Sequence, residues 1–318
     1  MKRLDYYWYT RNPWLVLLTP VSLVYRLAVW LRRLAYRSGL ARSHRLAVPV
    51  IVVGNITVGG TGKTPLVAWL AGYLQSMGYR PGIISRGYGG RARHWPQQVR
   101  PDSDPGVVGD EPVLLAGITG CPVVVAPKRV VAARSLLEHS DCNVIISDDG
   151  LQHYALQRDL EIVVIDGIRR FGTGFSLPAG PMREPVTRLR EVDLVVVNGL
   201  GSGPEHPMRM LPGEAHNLKD HCLTRELSGF RGQSVHAVAG IGNPERFFDA
   251  LQQTGMQLIR HAFPDHHRFT PADIGFDDGR PVLMTGKDAV KCRSFASDND
   301  WYVPVRVELS GEFCAQLD

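Results

Sequence analysis

The residues with the clearest chemical meaning are Lys63 and Thr64, which follow a glycine-rich stretch and precede a helical pattern. Small residues allow consecutive backbone N–H groups to close around an anion, and the helix adds the positive end of its dipole. In such a phosphate loop the lysine contacts the β- and γ-phosphates, and the hydroxyl group ligates Mg²⁺. The predicted nucleotide-binding residues are Thr57, Val58, Gly59, Gly60, Thr61, Gly62, Lys63 and Thr64.

The loop departs from the usual G-x-x-x-x-G-K-[ST] pattern, because Thr57 stands where glycine is expected. Its paired glycines resemble the loops of partitioning-type ATPases. Those loops carry a signature lysine just before the pair, where this chain has Val58. The motif alone therefore predicts a nucleotide and leaves the class of reaction open.

Two pairs of acidic residues are candidate metal ligands or bases. The apolar run 143–147 ends in Asp148 and Asp149, as a Walker B strand does, and a strand next to that of the phosphate loop would bring the acid to Mg²⁺. Asp110 and Glu111 precede the apolar residues 113–116. Acids in the first turn of a helix often only complement its dipole, so from the pattern alone a catalytic role for this pair stays open.

Three further segments carry reactive side chains on predicted loops. Residues 85–90, with Arg86, follow a short apolar strand, and open α/β sheets bind ligands at such ends. The proline-rich loop 177–185 contains Arg183, a candidate for stabilising phosphoryl charge, and Glu184, a candidate for assisting the metal. Asp265 and His266 are typical of a histidine oriented by a carboxylate for proton transfer, and a metal site at the adjacent histidines is the weaker alternative.

The order of the predicted elements indicates the fold. Apolar strands alternate with helices from residue 48 onward, which predicts a P-loop NTPase-like α/β fold with a mostly parallel sheet and helices on both faces. The Gly- and Pro-rich stretch 199–213 is the predicted boundary to a second, smaller α/β domain. The predicted divisions are an N-terminal segment 1–45, a P-loop kinase core 46–212 and a C-terminal domain 213–318, in which the last strand, 301–309, precedes a polar tail.

The positive charge is confined to the N-terminal segment. Residues 1–45 contain nine Lys or Arg residues and one Asp, a net charge of +8, whereas the other 273 residues contain 27 basic and 30 acidic ones, a net charge of −3. The body is therefore not a basic nucleic-acid binder. The five cysteines are scattered without C-x-x-C spacing, which argues against a disulfide framework and a structural zinc site and favours a reducing cytosol.

The N-terminal segment has the pattern of an amphipathic helix that binds a membrane surface. Apolar Leu23, Leu27 and Leu34 recur at helical intervals, and arginines fall on the opposite side. The uncharged run 12–25 contains two prolines and is shorter than the roughly 20 residues of a spanning helix, so we expect it to lie on the bilayer. A signal peptide is disfavoured because no small-x-small cleavage site follows, and a helix packed on the protein's own core stays open.

Taken in order, these motifs resemble the tetraacyldisaccharide 4′-kinase family of lipid A biosynthesis. The matching stretches are GNITVGGTGKTP, SRGYGG, GDEP, SDDGLQH, LPAGPMREP, AGIGNPERFF, FPDHHRF and TGKDAVK, which extend from about residue 50 to residue 291. One departure is Gly286, since the family usually has glutamate at that position. The sequence does not indicate an oligomeric state.

The resemblance implies ATP-dependent phosphorylation, with Mg²⁺, of the 4′-hydroxyl of a tetraacylated glucosamine disaccharide 1-phosphate to give lipid IVA. The implied location is the cytoplasmic face of a bacterial inner membrane. It also implies that Asp110 is the base, that His266 supports it from the second domain, and that Lys63 and Thr64 hold phosphates and Mg²⁺. The implied lining of the same site is Asp148, Asp149, Gln152, His153, Arg183 and Glu184, with Arg86, Glu111 and Asp265 nearby.

Two other classes of function remain as alternatives. A partitioning-type ATPase switch on the membrane surface would bind partners instead of modifying a lipid, but it leaves the GDEP and DHH motifs without a role. A soluble small-molecule kinase leaves the basic amphipathic segment unexplained.

Overall fold

The computed structural model describes residues 7–10, 13–220 and 222–317. The strands are β1 Val50–Gly54, β2 Pro81–Ser85, β3 Gln97–Val99, β4 Val123–Val125, β5 Val144–Asp148, β6 Leu160–Asp166, β7 Leu194–Asn198, β8 His206–Pro212, β9 Ala215–Asn217, β10 Thr224–Arg225, β11 Ser234–Ala239, β12 Gln257–Ala262, β13 Val282–Thr285, β14 Asp300–Val303 and β15 Val305–Leu309.

The α-helices are α1 Thr19–Arg37, α2 Lys63–Ser76, α3 Pro105–Val108, α4 Asp110–Thr119, α5 Arg129–His139, α6 Pro244–Gln252, α7 Pro271–Ile274, α8 Gly286–Cys292 and α9 Gly311–Ala315. Short 3₁₀ helices span Pro13–Leu18, Val186–Arg190, Leu227–Phe230 and Arg293–Phe295.

The strands form two sheets. The larger has the order β15-β8-β7-β6-β1-β5-β2-β4-β3, and all neighbours from β8 to β4 are parallel. The smaller has the order β10-β9-β14-β13-β11-β12, with β14, β13, β11 and β12 parallel. The predicted α/β class with a mostly parallel sheet is confirmed.

Helices cover both faces of the large sheet, which explains why its strands are continuous apolar runs instead of alternating ones. All five residues of β1 are buried. Leu66 and Leu70 of α2 pack on one face with α4, and Leu136 of α5 packs on the other. The small sheet is covered in the same way, by α6 through Phe248 on one face and by α8 through Ala289 on the other.

The register of the large sheet places the acidic motif beside the phosphate loop. β1 lies between β5 and β6, and Val53 pairs with Asp148. Because parallel strands end at the same edge, the loop after β1 and the aspartates after β5 emerge side by side. This is the geometry expected of a Walker B strand.

The chain leaves and re-enters the large sheet in a way that differs from the predicted divisions. The predicted boundary stretch 199–213 contains β8, which pairs with β7, and the change of sheet falls between Pro212 and Ala215. The predicted strand 301–309 is two strands separated at Pro304, which has no N–H to continue the ladder. β14 stays in the small sheet, whereas β15 returns antiparallel to β8.

The predicted polar tail also packs on the larger unit. It contains α9, whose Phe313 is fully buried in the core formed by α2 and β1. The smaller unit is therefore an insertion that ends before β15, and the range 213–318 is too long for it. With five residues, α9 is too short for a helical period to be visible in the sequence.

The helix α1 is docked along one side to the body of the protein. The hydroxyl of Ser22, which is buried, donates to the Ser176 carbonyl at 2.9 Å and accepts from the Ala179 N–H at 3.0 Å. Farther along, the Tyr25 hydroxyl donates to the Arg183 carbonyl, and Arg33 forms an ion pair with Glu191. These contacts orient the helix relative to the loop that carries Arg183.

The other side of α1 is apolar and exposed. The exposed large side chains include Leu23, Val24, Leu27, Trp30 and Leu31, which are 50–69% exposed. By length and composition alone, the stretch Trp14–Arg37 is also sufficient to cross a membrane. The prediction from sequence counted only the uncharged residues before Arg26 and treated the prolines among them as helix breaks. Pro20, however, lies in the first turn of α1, where proline is tolerated. Residues 1–6, 11 and 12 of the predicted segment 1–45, with Lys2, Arg3 and Arg11, lie outside the described residues.

Candidate active site

The phosphate loop is shaped by two backbone contacts on its flanks. Thr57 pairs with Met182 in an antiparallel bridge, and the Val58 N–H donates to the Pro181 carbonyl at 2.8 Å. Extended backbone at this point suits a β-branched residue, which accounts for threonine where the usual motif has glycine. Gly62, at the N-terminus of α2, has a φ of 101° and therefore does need to be glycine.

Asp149 is held between two cations of the predicted site. Its carboxylate lies 3.6 Å from Lys63 Nζ and accepts from Arg183 Nη1 at 3.0 Å. Burial raises the pKa of Asp149, but the charges of Lys63 and Arg183 outweigh burial and bring it well below the usual range. Asp149 is therefore ionised, and it keeps both cations at the mouth of the phosphate loop.

Asp148 is a buried carboxylate without a partner. Neither of its oxygens has a hydrogen-bond partner among the described residues. Burial, together with the charges of Glu111 and Asp149, raises the pKa of Asp148 to about 7. A buried carboxylate that lacks protein donors fits a divalent cation, which would supply the missing positive charge.

The rest of such a metal site would come from the nucleotide. In the part of the chain that the structure describes, no group of three or more His, Cys, Asp or Glu residues could hold a metal ion. P-loop enzymes hold Mg²⁺ with a Ser or Thr hydroxyl, one carboxylate, phosphate oxygens and water. Thr64 and Asp148 match the two protein ligands of that set.

Glu184 does not have the environment expected of a metal ligand. Its oxygens accept from Gln152 Nε2 at 2.8 Å and from the Tyr154 hydroxyl at 2.5 Å, and Arg188 Nε lies 3.5 Å away. The side chain is fully buried behind the loop, so these donors and charges already satisfy it. In the structure Glu184 therefore contacts Gln152, Tyr154 and Arg188, and its role in assisting the metal stays a prediction.

Two other predicted residues lie around the aspartates. Burial and the charges of Arg129 and Arg86 lower the pKa of His153 to about 3, so His153 is neutral. Arg86 is exposed at the end of β2, and its charge acts on both His153 and Arg129.

No sequence motif indicated that Arg129 belongs to the site. It is buried and donates to the backbone carbonyls of Asp148 and Asp149 at 3.0 and 3.2 Å. Its position as the first residue of α5, four residues after the end of the apolar strand β4, is the signal that could have revealed it.

Asp110 and His266 come together from the two sheets. His266 Nδ1 lies 3.1 Å from Asp110 Oδ2, although 156 residues separate them in the chain. Asp110 Oδ1 accepts from the Glu111 N–H, and the Asp265 carboxylate accepts from the His266 N–H. His266 has a φ of 60°, a backbone conformation that is uncommon for histidine and is found at constrained functional positions.

Each partner of this pair shifts the titration of the other. Burial raises the pKa of Asp110, but the hydrogen bond from His266 and the charge of Lys287 outweigh it, and the net pKa lies below the usual value. The hydrogen bond to Asp110 raises the pKa of His266, against burial and the charge of Lys287. The ionised pair is therefore favoured around neutral pH.

Lys287 and Lys291 surround the same pair. Lys287 Nζ donates to Glu111 at 3.0 Å and to Asp265 at 3.2 Å, and both lysines lie 4.0 Å from Asp110 Oδ2. Both lysines lie in the TGKDAVK stretch, one of those that match the family pattern. Burial opposes the charge of Lys287, but these carboxylates outweigh it and raise its pKa above the usual value.

Gly286 and His267 do not belong to this cluster. A Cβ on Gly286 would lie 3.4 Å from Leu114, so this position faces an apolar side chain of α4. His267 lies 3.4 Å from Asp273 and stacks on Phe263. The adjacent histidines thus have different partners, since His266 contacts Asp110 and His267 contacts Asp273.

The stabilising effect of His266 should depend on pH. Because the folded pKa of His266 lies above 6.5, its ion pair with Asp110 contributes fully below that value and is lost as pH rises through the folded pKa. We expect His266→Gln to lower the melting temperature most near pH 6 and progressively less toward pH 9, as measured by thermal unfolding. His139→Gln on the exposed end of α5 is the control, and a pH-independent effect of His266→Gln would contradict the ion pair.

Comparison with known proteins agrees with this geometry. A family described as Tetraacyldisaccharide-1-P 4′-kinase matches residues 14–318. A Nitrosococcus oceani protein named Tetraacyldisaccharide 4′-kinase is 58% identical over 311 residues, covering 98% of this chain and 92% of that protein. An Aeromonas hydrophila protein of the same name is 52% identical over 310 residues, covering 96% and 92%.

A solved structure also matches nearly the whole chain. The crystal structure of LpxK from Aquifex aeolicus in complex with ATP has a TM-score of 0.81 and 28% sequence identity, and it covers 95% of this chain and 97% of that one. The family match, the close relatives and the shared fold agree, and the chain belongs to the tetraacyldisaccharide-1-P 4′-kinase family.

Proposed function

We propose that this protein transfers the γ-phosphoryl group of ATP to the 4′-hydroxyl of a tetraacylated disaccharide 1-phosphate, giving lipid IVA. The observation that carries the proposal is the placement of the acid–base pair beside the phosphate loop. A Cβ atom added to Gly242 would lie 3.6 Å from the Gly60 N atom and 3.6 Å from Asp265 Oδ2. The loop that carries His266 therefore lies next to the phosphate loop.

The side chains have distinct roles in this reaction. Asp110 accepts the proton of the 4′-hydroxyl as the bond from that oxygen to the γ-phosphorus forms. The bond between the γ-phosphorus and the bridging oxygen breaks, and ADP leaves with that oxygen. His266 holds Asp110 ionised and oriented, and Lys63 and Arg183 stabilise the charge on the transferred group.

Mg²⁺ bound by Thr64 and Asp148 would neutralise charge on the β- and γ-phosphates. Asp149 acts differently, because its carboxylate holds Lys63 and Arg183 together before the nucleotide enters. The unpartnered oxygens of Asp148 support its assignment as the carboxylate ligand.

The smaller unit supplies one half of the acid–base pair, so catalysis requires it to be docked. We propose that it closes on the bound nucleotide. His266, Asp265 and Lys287 all belong to this unit, and their partners Asp110 and Glu111 belong to the larger one. Closure of this kind excludes water and limits hydrolysis of ATP.

The acceptor lipid would reach the site along the membrane surface. The hydrogen bonds of Ser22 and Tyr25 and the ion pair of Arg33 attach α1 to the body on one side, which supports a helix that lies in the interface instead of crossing the bilayer. The site uses ATP, which supports the cytoplasmic face. The exposed leucines would bury their apolar surface among acyl chains, and the arginines would attract anionic headgroups.

A cavity beside the N-terminal segment would bind part of the acyl chains of the acceptor lipid. It has a volume of about 590 Å³ and lies between residues 8–10, 15 and 16 on one side and residues 168–175 on the other. Trp8, Leu15 and Phe175 contribute apolar surface, and Arg169 contributes a positive charge at its edge. Because the Tyr9 hydroxyl donates to the Val58 carbonyl, this cavity adjoins the phosphate loop.

Changes to the exposed face of α1 should release the protein from membranes. We expect the double variant Leu27→Glu and Leu31→Glu to lose most of its sedimentation with phosphatidylglycerol vesicles, because two charges would enter the apolar interface. Leu200→Glu, at an 87% exposed leucine outside α1, is the control and should sediment normally. Equal sedimentation of both variants at high salt would show that α1 is not the anchor.

The reaction itself is tested with labelled ATP, Mg²⁺ and a panel of acylated disaccharides. We expect label only in lipids that carry a free 4′-hydroxyl. ATP consumption without transfer to any lipid would instead favour an ATPase switch.

A further inference from the structure

Arg246 links the smaller unit to the phosphate loop through one buried amide. Arg246 lies on α6, and its Nη2 donates to the side-chain oxygen of Asn198 at 2.7 Å. Asn198 is the last residue of β7 and is only 2% exposed. Its side-chain nitrogen donates to the Thr61 carbonyl at 3.1 Å. The three residues thus form a continuous path from the smaller unit into the loop.

The orientation of the Asn198 side chain depends on Arg246. An amide has one oxygen acceptor and one NH₂ donor, and a guanidinium can only donate. When Arg246 uses the oxygen, the NH₂ group is turned to the Thr61 carbonyl. Without Arg246, the amide oxygen loses its charged donor, and the single hydrogen bond to the Thr61 carbonyl is left to hold the NH₂ group in place.

The Thr61 carbonyl in turn controls the next peptide N–H. A trans peptide is planar, with the C=O and the following N–H pointing in opposite directions. Holding the Thr61 carbonyl toward Asn198 therefore points the Gly62 N–H away from Asn198. N–H groups of a phosphate loop are the donors that bind the phosphates, so their direction determines affinity for ATP.

A second contact supports docking at this place. Arg169 donates to the Gly242 carbonyl at 3.1 Å, and Gly242 precedes α6. The start of α6 is therefore held beside the phosphate loop from both sides, by Arg169 and by Asn198. Arg246 is half-buried, so its hydrogen bond is partly shielded from solvent.

We propose that Arg246 is a positioning residue that couples docking of the smaller unit to the geometry of the phosphate loop by fixing the Asn198 amide. The proposal rests on the assignment of residues 57–64 as the ATP site. It gives the GNPERFF motif, which the sequence placed in the family pattern without a role, a specific task. It also predicts an effect on ATP and none on the acceptor, because Asp110 and His266 do not contact either residue.

A double-mutant cycle tests the coupling. Arg246→Ala and Asn198→Ala should each raise the KM for ATP by about tenfold, as expected for loss of one hydrogen bond to a charged group or of its effect on the loop. The double variant should be no worse than Asn198→Ala alone, since Arg246 acts through Asn198. The KM for the lipid acceptor should stay within about twofold, and Arg246→Lys should recover most of the ATP affinity.

Binding of a fluorescent ATP analogue without acceptor should show the same pattern, which separates this proposal from the identity of the acceptor. Arg293→Ala is the matched control, because Arg293 donates to the Pro101 carbonyl across the same two units at another place. The proposal would be overturned if the effects of the two single variants multiplied in the double variant. An effect of Arg293→Ala as large as that of Arg246→Ala, or a change in melting temperature without a change in ATP affinity, would also overturn it.

Discussion

Asp110→Asn should lower kcat by about 10²–10⁴-fold, the range for loss of a general base. The amide keeps the shape of the side chain and can still hydrogen-bond to His266, but it cannot accept a proton from the sugar hydroxyl. The KM for ATP should change little, because Asp110 lies at the start of α4 and not in the phosphate loop. Steady-state kinetics with the lipid acceptor measures both quantities.

The control is Asp104→Asn in the same segment of the chain. Asp104 accepts from the Gly106 N–H at the start of α3, and the asparagine oxygen can accept the same hydrogen bond, so the helix cap is kept. We expect normal kcat and a nearly unchanged melting temperature. If Asp110→Asn retained kcat within tenfold of the wild type, Asp110 would not be the base.

Asp148→Asn should abolish activity and stabilise the protein, two effects of opposite sign. Removal of the proposed metal ligand should cost more than about 100-fold in turnover. The amide also removes a buried charge that has no hydrogen-bond partner among the described residues. In EDTA at pH 8 we therefore expect a melting temperature several degrees above that of the wild type.

The pH dependence gives the sign of this stability effect. The folded pKa of Asp148, about 7, lies above its unfolded value, so the wild type loses stability as pH rises from about 4 to 7. The advantage of Asp148→Asn should grow over that range and then level off. An unchanged melting temperature at pH 8 would mean that the Asp148 carboxylate is not desolvated.

Asp149→Asn is the matched comparison one residue along the chain. Its pKa is lowered by Lys63 and Arg183 despite burial, so the ionised form stabilises the fold above the unfolded pKa. Replacement by asparagine should lower the melting temperature at pH 8. The same substitution should thus raise the melting temperature at Asp148 and lower it at Asp149. A general destabilisation of the loop would instead lower the melting temperature of both variants.

The two aspartates show how far local sequence could go. The sequence placed both after a buried strand and identified them as candidate metal ligands. It could not distinguish them, because the difference arises from which charges face each carboxylate. Lys63 and Arg183 come from α2 and from the loop after β6, and only the folded chain brings them to Asp149.

Glu184 shows the same limit in a different way. A glutamate next to a candidate cationic residue in a proline-rich loop was a reasonable metal ligand. Its actual donors, Gln152 and Tyr154, lie about 30 residues away in the chain, where no local pattern connects them. Burial behind the loop, which no local sequence pattern indicates, determines these contacts.

By itself the sequence determined what depends on short-range chemistry. Apolar runs specified most strands of the parallel sheet, the glycines and Lys63 specified the phosphate loop, and Asp110 and His266 were singled out by their motifs. These features follow from backbone preferences and side-chain chemistry within a few residues.

The tertiary structure decided what depends on contacts between distant segments. It returned β15 to the large sheet after Pro304, and it joined Asp110 to His266 across 156 residues. It also oriented the Asn198 amide, whose oxygen accepts from Arg246 and whose nitrogen donates to Thr61. Each of these depends on which buried groups find partners in the folded chain, and that pairing is a property of the packed whole.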